Sequence, residues 1–267
     1  MKKQARKSIF LYFFTYFHIV FPKVVKKSGS VIEILANPPY FERNGRQLQR
    51  ICQMLKHRGK VMNVLLINGS PHREGCTCTA LNEVATALER NGVGTEILHI
   101  GNRAIHGCTA CGACAENGYC IFKDDPVNRA IDLARAADGL VVGSPVYYAG
   151  PNGALCAFLD RMFFMKSRLY AYKPAAAIVS CRRGGASAAF DRLNKYFTIS
   201  NMPVVSSQYW NAVHGNTPDE VRQDLEGMQI MRTLGRNMAW LLKCIDAAKD
   251  TVPYPEPEAI QRTNFIR

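Results

Sequence analysis

Cys108, Cys111, Cys114 and Cys120 place four thiols within 13 residues in a C-x2-C-x2-C-x5-C run. Thiolate sulfur is a soft ligand, and four thiolates converging on one point can hold an iron-sulfur cluster or a structural zinc ion. Gly107, Gly112 and Gly118 interleave them and supply the backbone freedom that a tight wrap requires. The two x2 spacings match a ferredoxin run, whereas the x5 gap and the missing proline do not. Zinc sites ordinarily pair two C-x2-C knuckles across a longer span. An unmetallated loop stays open as a third reading. Disulfides are disfavoured, because clustered thiols in a chain of this length point to a reducing, cytoplasmic compartment. Cys52, Cys156, Cys181 and Cys244 are not at ligand spacing. Cys156 and Cys244 read as core, and Cys181 as a packing residue near the loop that follows it.

A second chemical set follows the apolar run at 64–67, in the loop Gly69-Ser70-Pro71-His72-Arg73-Glu74-Gly75-Cys76-Thr77-Cys78-Thr79. It has neither the G-x-G-x-x-G glycines of a dinucleotide cradle nor a Walker lysine. What it offers is Ser70, Cys76, Thr77 and Cys78 at a helix start, with backbone N–H groups and with His72 and Arg73 nearby. That set suits one phosphate monoester, although an ordinary helix cap uses the same residue types. Two later loops extend the pattern: 144–153 holds Pro145, Val146, Tyr147, Tyr148 and Asn152, and 181–186 holds Arg182, Arg183, Gly184 and Gly185. A flat isoalloxazine needs backbone amides along its pyrimidine edge and an apolar wall on its face, and these segments can supply both. An arginine at that edge would stabilise an anionic reduced flavin. Packing between loop and helix is the competing use of the two tyrosines.

The elements that must position these loops alternate in type. Short β-branched apolar runs at 64–67, 95–100, 139–142, 175–179 and 204–206 read as strands, and amphipathic stretches at 79–90, 127–137, 153–165, 187–197 and 218–248 as helices. The last stretch is open to division at Gly227 and Gly235. Alternation of this kind makes βαβ units and predicts an α/β, flavodoxin-like, doubly wound five-stranded parallel sheet of order 2-1-3-4-5 in one domain. In that order the carboxyl ends of strands one, three and four meet at the switch point, which gathers the three loops at one edge. Tyr209, Trp210, Asn211 and His214 follow strand five and can line the mouth. The cysteine run falls in an insertion at 107–122, between strand two and the next helix.

Ile67-Asn68-Gly69-Ser70-Pro71 with Gly75-x-Thr77, Ser144-Pro145-Val146-Tyr147-Tyr148 and Phe158-Leu159-Asp160-Arg161 together resemble the NADPH-dependent FMN reductase family of flavodoxin-like proteins. Within it the similarity is greatest to the iron-sulfur flavoproteins, over about residues 62–248. The resemblance implies non-covalent FMN, reduction by NAD(P)H or a ferredoxin-like carrier, and transfer to a small-molecule redox substrate. It also implies a homodimer or homotetramer with FMN near a subunit interface, and one [4Fe–4S] cluster on all four cysteines of the run. The family commonly has Asn where this chain has Cys76. A non-enzymatic flavodoxin-like electron carrier is the alternative, against which the absence of a strongly acidic body argues weakly.

The net charge of +13 on 267 residues invites a nucleic-acid or membrane partner. Its distribution removes that inference: residues 1–61 hold 13 bases and two acids, and the rest holds 21 bases and 19 acids. The chain therefore reads as a basic, partly apolar leader at 1–61, a nearly neutral flavin domain at 62–250 and a proline-bearing extended tail at 251–267. No nucleic-acid motif is found, and a membrane contact is expected only through the leader, whose apolar stretch at 9–21 is short for a span. Because Met62 opens the first strand, a start there is one reading of residues 1–61; a surface or membrane-associating extension and a signal or anchor segment are the others.

Overall fold

The computed structural model describes residues 61–261, 263 and 265. The leader, apart from Val61, and the question of the start at Met62 lie outside those residues. Among the described residues, no helix is long and apolar enough to cross a membrane.

The first strand, β1 (Asn63–Asn68), is the sheet's inner scaffold. Val64, Leu65, Leu66 and Ile67 are all at most 1% exposed, which is the near-continuous burial of a parallel strand covered on both faces. It pairs in parallel with β2 (Gly94–His99) on one side and with β3 (Gly139–Tyr147) on the other. Next comes β5 (Ala175–Cys181), then β6 (Ala212–His214), giving the order β2-β1-β3-β5-β6. The two-residue β4 (Gly150–Pro151) hooks back antiparallel onto the end of β3. Apart from that hook, the expected doubly wound order is observed.

Alternate strand residues feed two cores. Leu65, Ile67, Leu140 and Val142 face α3 (Val127–Ala136), α4 (Gly153–Lys166) and α5 (Ala186–Ile199), where Ile131, Phe158 and Phe197 complete the packing. Val64, Leu66 and Val141 face α1 (Cys76–Arg90) and α7 (Leu225–Ala248), with Leu81, Met231 and Leu234. Each such side chain contributes about 1.5–3 kcal/mol of gross burial energy, so the two cores outweigh any single loop contact. At Gly235 the two helices touch closely: an added Cβ would lie 2.6 Å from that of Ala87.

Several elements differ from the sequence reading. The fifth strand is not 204–206. Val204 makes only an isolated bridge to Ala175, and the ladder resumes at Ala212 opposite Val179. Buried Asn211 fills the gap, donating from Nδ2 to the Ala177 carbonyl while its own carbonyl accepts from Val179 N–H. The division before α7 falls at Asp224, not at a glycine. Asp224 ends α6 (Pro218–Gln223) and caps α7 by accepting from Gly227 N–H at 2.9 Å. The insertion carries a short helix, α2 (Ala113–Asn117), flanked by Gly112 and Gly118 in the left-handed region. Cys244 is exposed, not core.

Candidate functional site

At the carboxyl edge, α1 begins three residues earlier than the sequence pattern indicated, at Cys76. That places the N–H groups of Cys76, Thr77 and Cys78 in its first turn, where no acid is present and the Gly75 cap supplies no side-chain acceptor. The first N–H groups of a helix have no partner within it and carry the positive end of its dipole, so this end is open to an anion. The preceding loop is held rigid by buried Asn68, which no chemical pattern in the sequence marked. Its Oδ1 accepts from Ser70 N–H at 3.0 Å, and its Nδ2 donates to the Arg73 carbonyl at 3.1 Å. Ser70 Oγ accepts from His72 N–H, and His99 Nε2 lies 2.8 Å from the Ser70 carbonyl oxygen. Burial raises the pKa of the Cys76 and Cys78 thiols, so both stay neutral beside an anion. His72 is exposed and makes no side-chain hydrogen bond to another described residue.

The second loop is a hairpin. Val146 and Tyr147 pair with Pro151 and Gly150 across Tyr148 and Ala149, which have φ of 51° and 58°, as a tight turn that follows the sheet's twist requires. Tyr147 and Tyr148 are exposed, and Val146 and Pro145 are half-buried behind them. Asn152 is largely spent on structure: its Oδ1 accepts from Ala154 N–H and its N–H donates to Ser144 Oγ, capping α4. The third loop packs against the turn. Gly185 has φ +90°, and an added Cβ would stand 2.8 Å from Ala149 Cα. Arg182, Arg183 and Gly184 are exposed beside it. Cys181 is buried, with its Sγ 3.7 Å from the Arg183 carbonyl. Tyr209 and Trp210 are exposed and Asn211 is buried, and all three precede β6 instead of following the last strand; only His214 stands at its carboxyl end.

The four cysteines of the insertion all line one shallow concavity, with Phe122, Arg161 and Phe164. Burial and the neighbouring thiols Cys108, Cys111 and Cys120 raise the pKa of Cys114. Among the described residues, no three His, Cys, Asp or Glu side chains stand close enough to share a single metal ion. A tetrahedral zinc with Zn–S bonds of about 2.3 Å would draw its sulfurs to within about 4 Å of one another. A four-iron cluster accepts a wider ring, because each thiolate ligates a different iron.

Behind the concavity stands Arg161, whose side chain is 1% exposed and pairs with Asp125, at 2%. Burial opposes the guanidinium's charge, but bonds to Asp125 and Cys120 outweigh it and hold the pKa above the ordinary arginine value. Its partnership with the cysteine loop left no trace in residue spacing. Between this loop and the loop after β1 lies a cleft of about 510 Å³. Arg73, Arg103 and Lys123 line it from three separate loops, together with Ile100 and Ile105. The Arg73 side chain thus faces this cleft. Asp125 is matched by Arg161 and Asp124 lies 3.5 Å from His106, so the cleft's uncompensated charge is positive.

Fold and edge together define a flavodoxin-like α/β protein with an anion-ready helix start at its switch point. The NADPH-dependent FMN reductase family signature matches residues 62–217, and the chain belongs to that family. It is 30% identical to an iron-sulfur flavoprotein of Methanocaldococcus jannaschii over 69% of this chain and 99% of the relative. It is 29% identical to an iron-sulfur flavoprotein of Methanosarcina thermophila, over 71% of this chain and all of that one. Among solved structures, RosB with a bound 8-demethyl-8-formylriboflavin-5′-phosphate intermediate superposes with a TM-score of 0.55 at 15% identity, covering 78% of this chain and 94% of RosB. A flavone reductase gives a TM-score of 0.56 at 18% identity, covering 70% of this chain and 65% of its own. At these identities the two structures speak to the fold alone.

Proposed function

We propose that this flavin oxidoreductase takes electrons from NAD(P)H through FMN to a [4Fe–4S] cluster on Cys108, Cys111, Cys114 and Cys120, and then to a small-molecule acceptor or ferredoxin-like carrier. The observation that carries the reading is the convergence at one sheet edge of the uncapped α1 start, the tyrosine hairpin and the Gly185 loop. The N–H groups of Cys76, Thr77 and Cys78, with the Ser70 hydroxyl, would bind the flavin phosphate. Val146, Tyr147 and Tyr148 would wall one ring face and exclude water from it. Arg182 or Arg183, with the backbone at Gly184 and Gly185, would bind the pyrimidine edge. Where both groups are bound, FMN would supply two-electron and one-electron chemistry and the cluster one-electron chemistry.

The family description and the basic cleft support a phosphorylated nicotinamide donor, because Arg73, Arg103 and Lys123 are suited to anionic ester groups. The relatives' names support an iron-sulfur cluster over zinc. The exposed aromatics Tyr147, Tyr148, Tyr209 and Trp210 at the sheet edge support a homodimer or homotetramer, which light scattering tests. The thiol chemistry fits a reducing cytoplasm.

Absorption spectra of anaerobically purified protein, with iron and sulfide assays, test the cofactor set. Two flavin bands and a broad brown shoulder are expected. Colourless protein that takes up no FMN would overturn the whole reading; flavin without iron after anaerobic reconstitution would remove the cluster. Stopped-flow bleaching by NADPH, NADH and reduced ferredoxin then distinguishes enzyme from carrier. Arg103→Glu with Lys123→Glu should raise the KM for the nucleotide donor at least tenfold and leave FMN content unchanged. An unaltered KM would exclude the cleft as the donor's site.

A further inference from the structure

We infer that Arg161 is the positioning residue of the four-cysteine centre, closing the insertion like a clasp and directing an N–H group at a ligand sulfur. The inference rests on the cluster reading above. Arg161 sits on α4, outside the cysteine loop, on the same buried stripe as Phe158 and Met162. Its Nε donates to Cys120 Sγ at 3.1 Å. Nη1 donates to the His106 carbonyl at 3.3 Å and to Asp125, and Nη2 to the Phe122 carbonyl at 3.3 Å and to Asp125 Oδ1 at 3.2 Å. The Phe122 ring lies 5.1 Å from the guanidinium carbon, and His106 stacks on that ring. One side chain therefore ties residue 106, before the first cysteine, to residues 120, 122 and 125, at and beyond the last.

A buried ion pair with Asp125 alone would make a poor return on desolvating two charges. It would also leave guanidinium donors without acceptors. Here those donors reach two loop carbonyls and a sulfur, which a lysine's single ammonium cannot reproduce. Hydrogen bonds to ligating sulfurs and nearby positive charge raise cluster potentials, since both stabilise the more negative reduced state, and a nearby negative charge opposes them. A second set of contacts makes the role separable from folding. Asn128 holds the backbone of Cys120 independently, accepting from its N–H at 2.8 Å and donating to its carbonyl at 2.9 Å. Loss of Arg161 thus alters the direction and electrostatics of the sulfur while its backbone stays anchored.

The test compares the full chain with Arg161→Lys, Arg161→Gln and Asp125→Asn after anaerobic reconstitution, reading iron per chain, FMN per chain and the cluster's midpoint potential. Both Arg161 variants should keep FMN and show a lower iron content, with any remaining cluster at a more negative potential. Asp125→Asn keeps the N–H donor and removes a negative charge, so its potential should move the opposite way. Complete loss of iron from both Arg161 variants with FMN retained also supports the assignment. Wild-type iron content and potential in both would overturn it and leave the cluster reading intact. Wild-type protein that binds no iron would end both. Potentials that fall equally in all three variants would show only a loosened loop and would also overturn it.

Discussion

At the scale of single residues, the candidate site is held by side chains that reach across the fold: Arg161 Nε donates to Cys120 Sγ, and Asn68 Oδ1 accepts from Ser70 N–H. The four thiols of the insertion and the hydroxyl and thiol groups after β1 stand out in the chain as written. His99 does not, and the partners of Asn68 and Arg161, which the family motifs include, are set only by the fold. Asn68 holds both ends of the phosphate loop, and Arg161 reaches 41 residues back to Cys120. Glycines show the same division. Gly143 lies inside β3 with nothing in its local sequence to mark it, yet an added Cβ would meet Thr77 Cγ2 at 2.9 Å and Leu81 Cδ1 at 3.0 Å. Gly143→Ala should therefore force the start of α1 off the sheet, costing about 1–3 kcal/mol by overpacking. Because those first-turn amides face the anion site, FMN affinity should fall together with stability. Urea unfolding of the apoprotein and fluorescence titration with FMN check the two effects; a loss of stability with native FMN affinity would mean that Gly143 serves packing alone.

At the scale of elements, helix and strand identity followed from hydrophobic periodicity, and the misreadings occurred where side chains replaced backbone pairing. The apolar run at 204–206 has the composition of a strand, but its pairing with β5 stops after one bridge and resumes at Ala212. Asn211 supplies the intervening contact with a carboxamide, which no strand pattern encodes. The hairpin of the 144–153 loop likewise has no sequence signal, because its turn is built from Tyr148 and Ala149 instead of Asn and Gly. Left-handed backbone costs an ordinary residue roughly 1–2 kcal/mol, so retaining Tyr148 there implies a use for its ring. Tyr148→Asn should leave stability equal or raise it by about 1 kcal/mol, since Asn tolerates this conformation. The same change should weaken flavin retention severalfold, measured as the rate of FMN release on dilution. Unchanged release would take Tyr148 out of the flavin wall.

At the scale of the whole molecule, the excess of positive charge belongs to residues 1–61, and the described body is nearly balanced, so its pH response should come from particular buried groups instead of from net charge. Tyr170 and Tyr196 are the groups to watch. Burial raises the pKa of both far above the ordinary phenol, and for Tyr196 the hydrogen bond it donates to Asp160 adds to the rise. Both pack on Phe163, between α4, the adjoining 3-10 turn and α5, so their ionisation would place charge against the core. The unfolded chain releases these protons near pH 10, whereas the native state keeps them to a higher pH. Their contribution to stability is therefore complete at neutral pH and declines as pH rises above about 10, continuing until the native phenols themselves ionise. Chemical denaturation should give a constant urea midpoint from pH 7 to about 9 and a falling one above about pH 10. Tyr196→Phe should lower the midpoint at neutral pH, through loss of the Asp160 hydrogen bond, and make the alkaline decline shallower. An equally steep decline in that variant would assign the alkaline loss to other groups, because a residue without a hydroxyl has no proton to exchange between the two states.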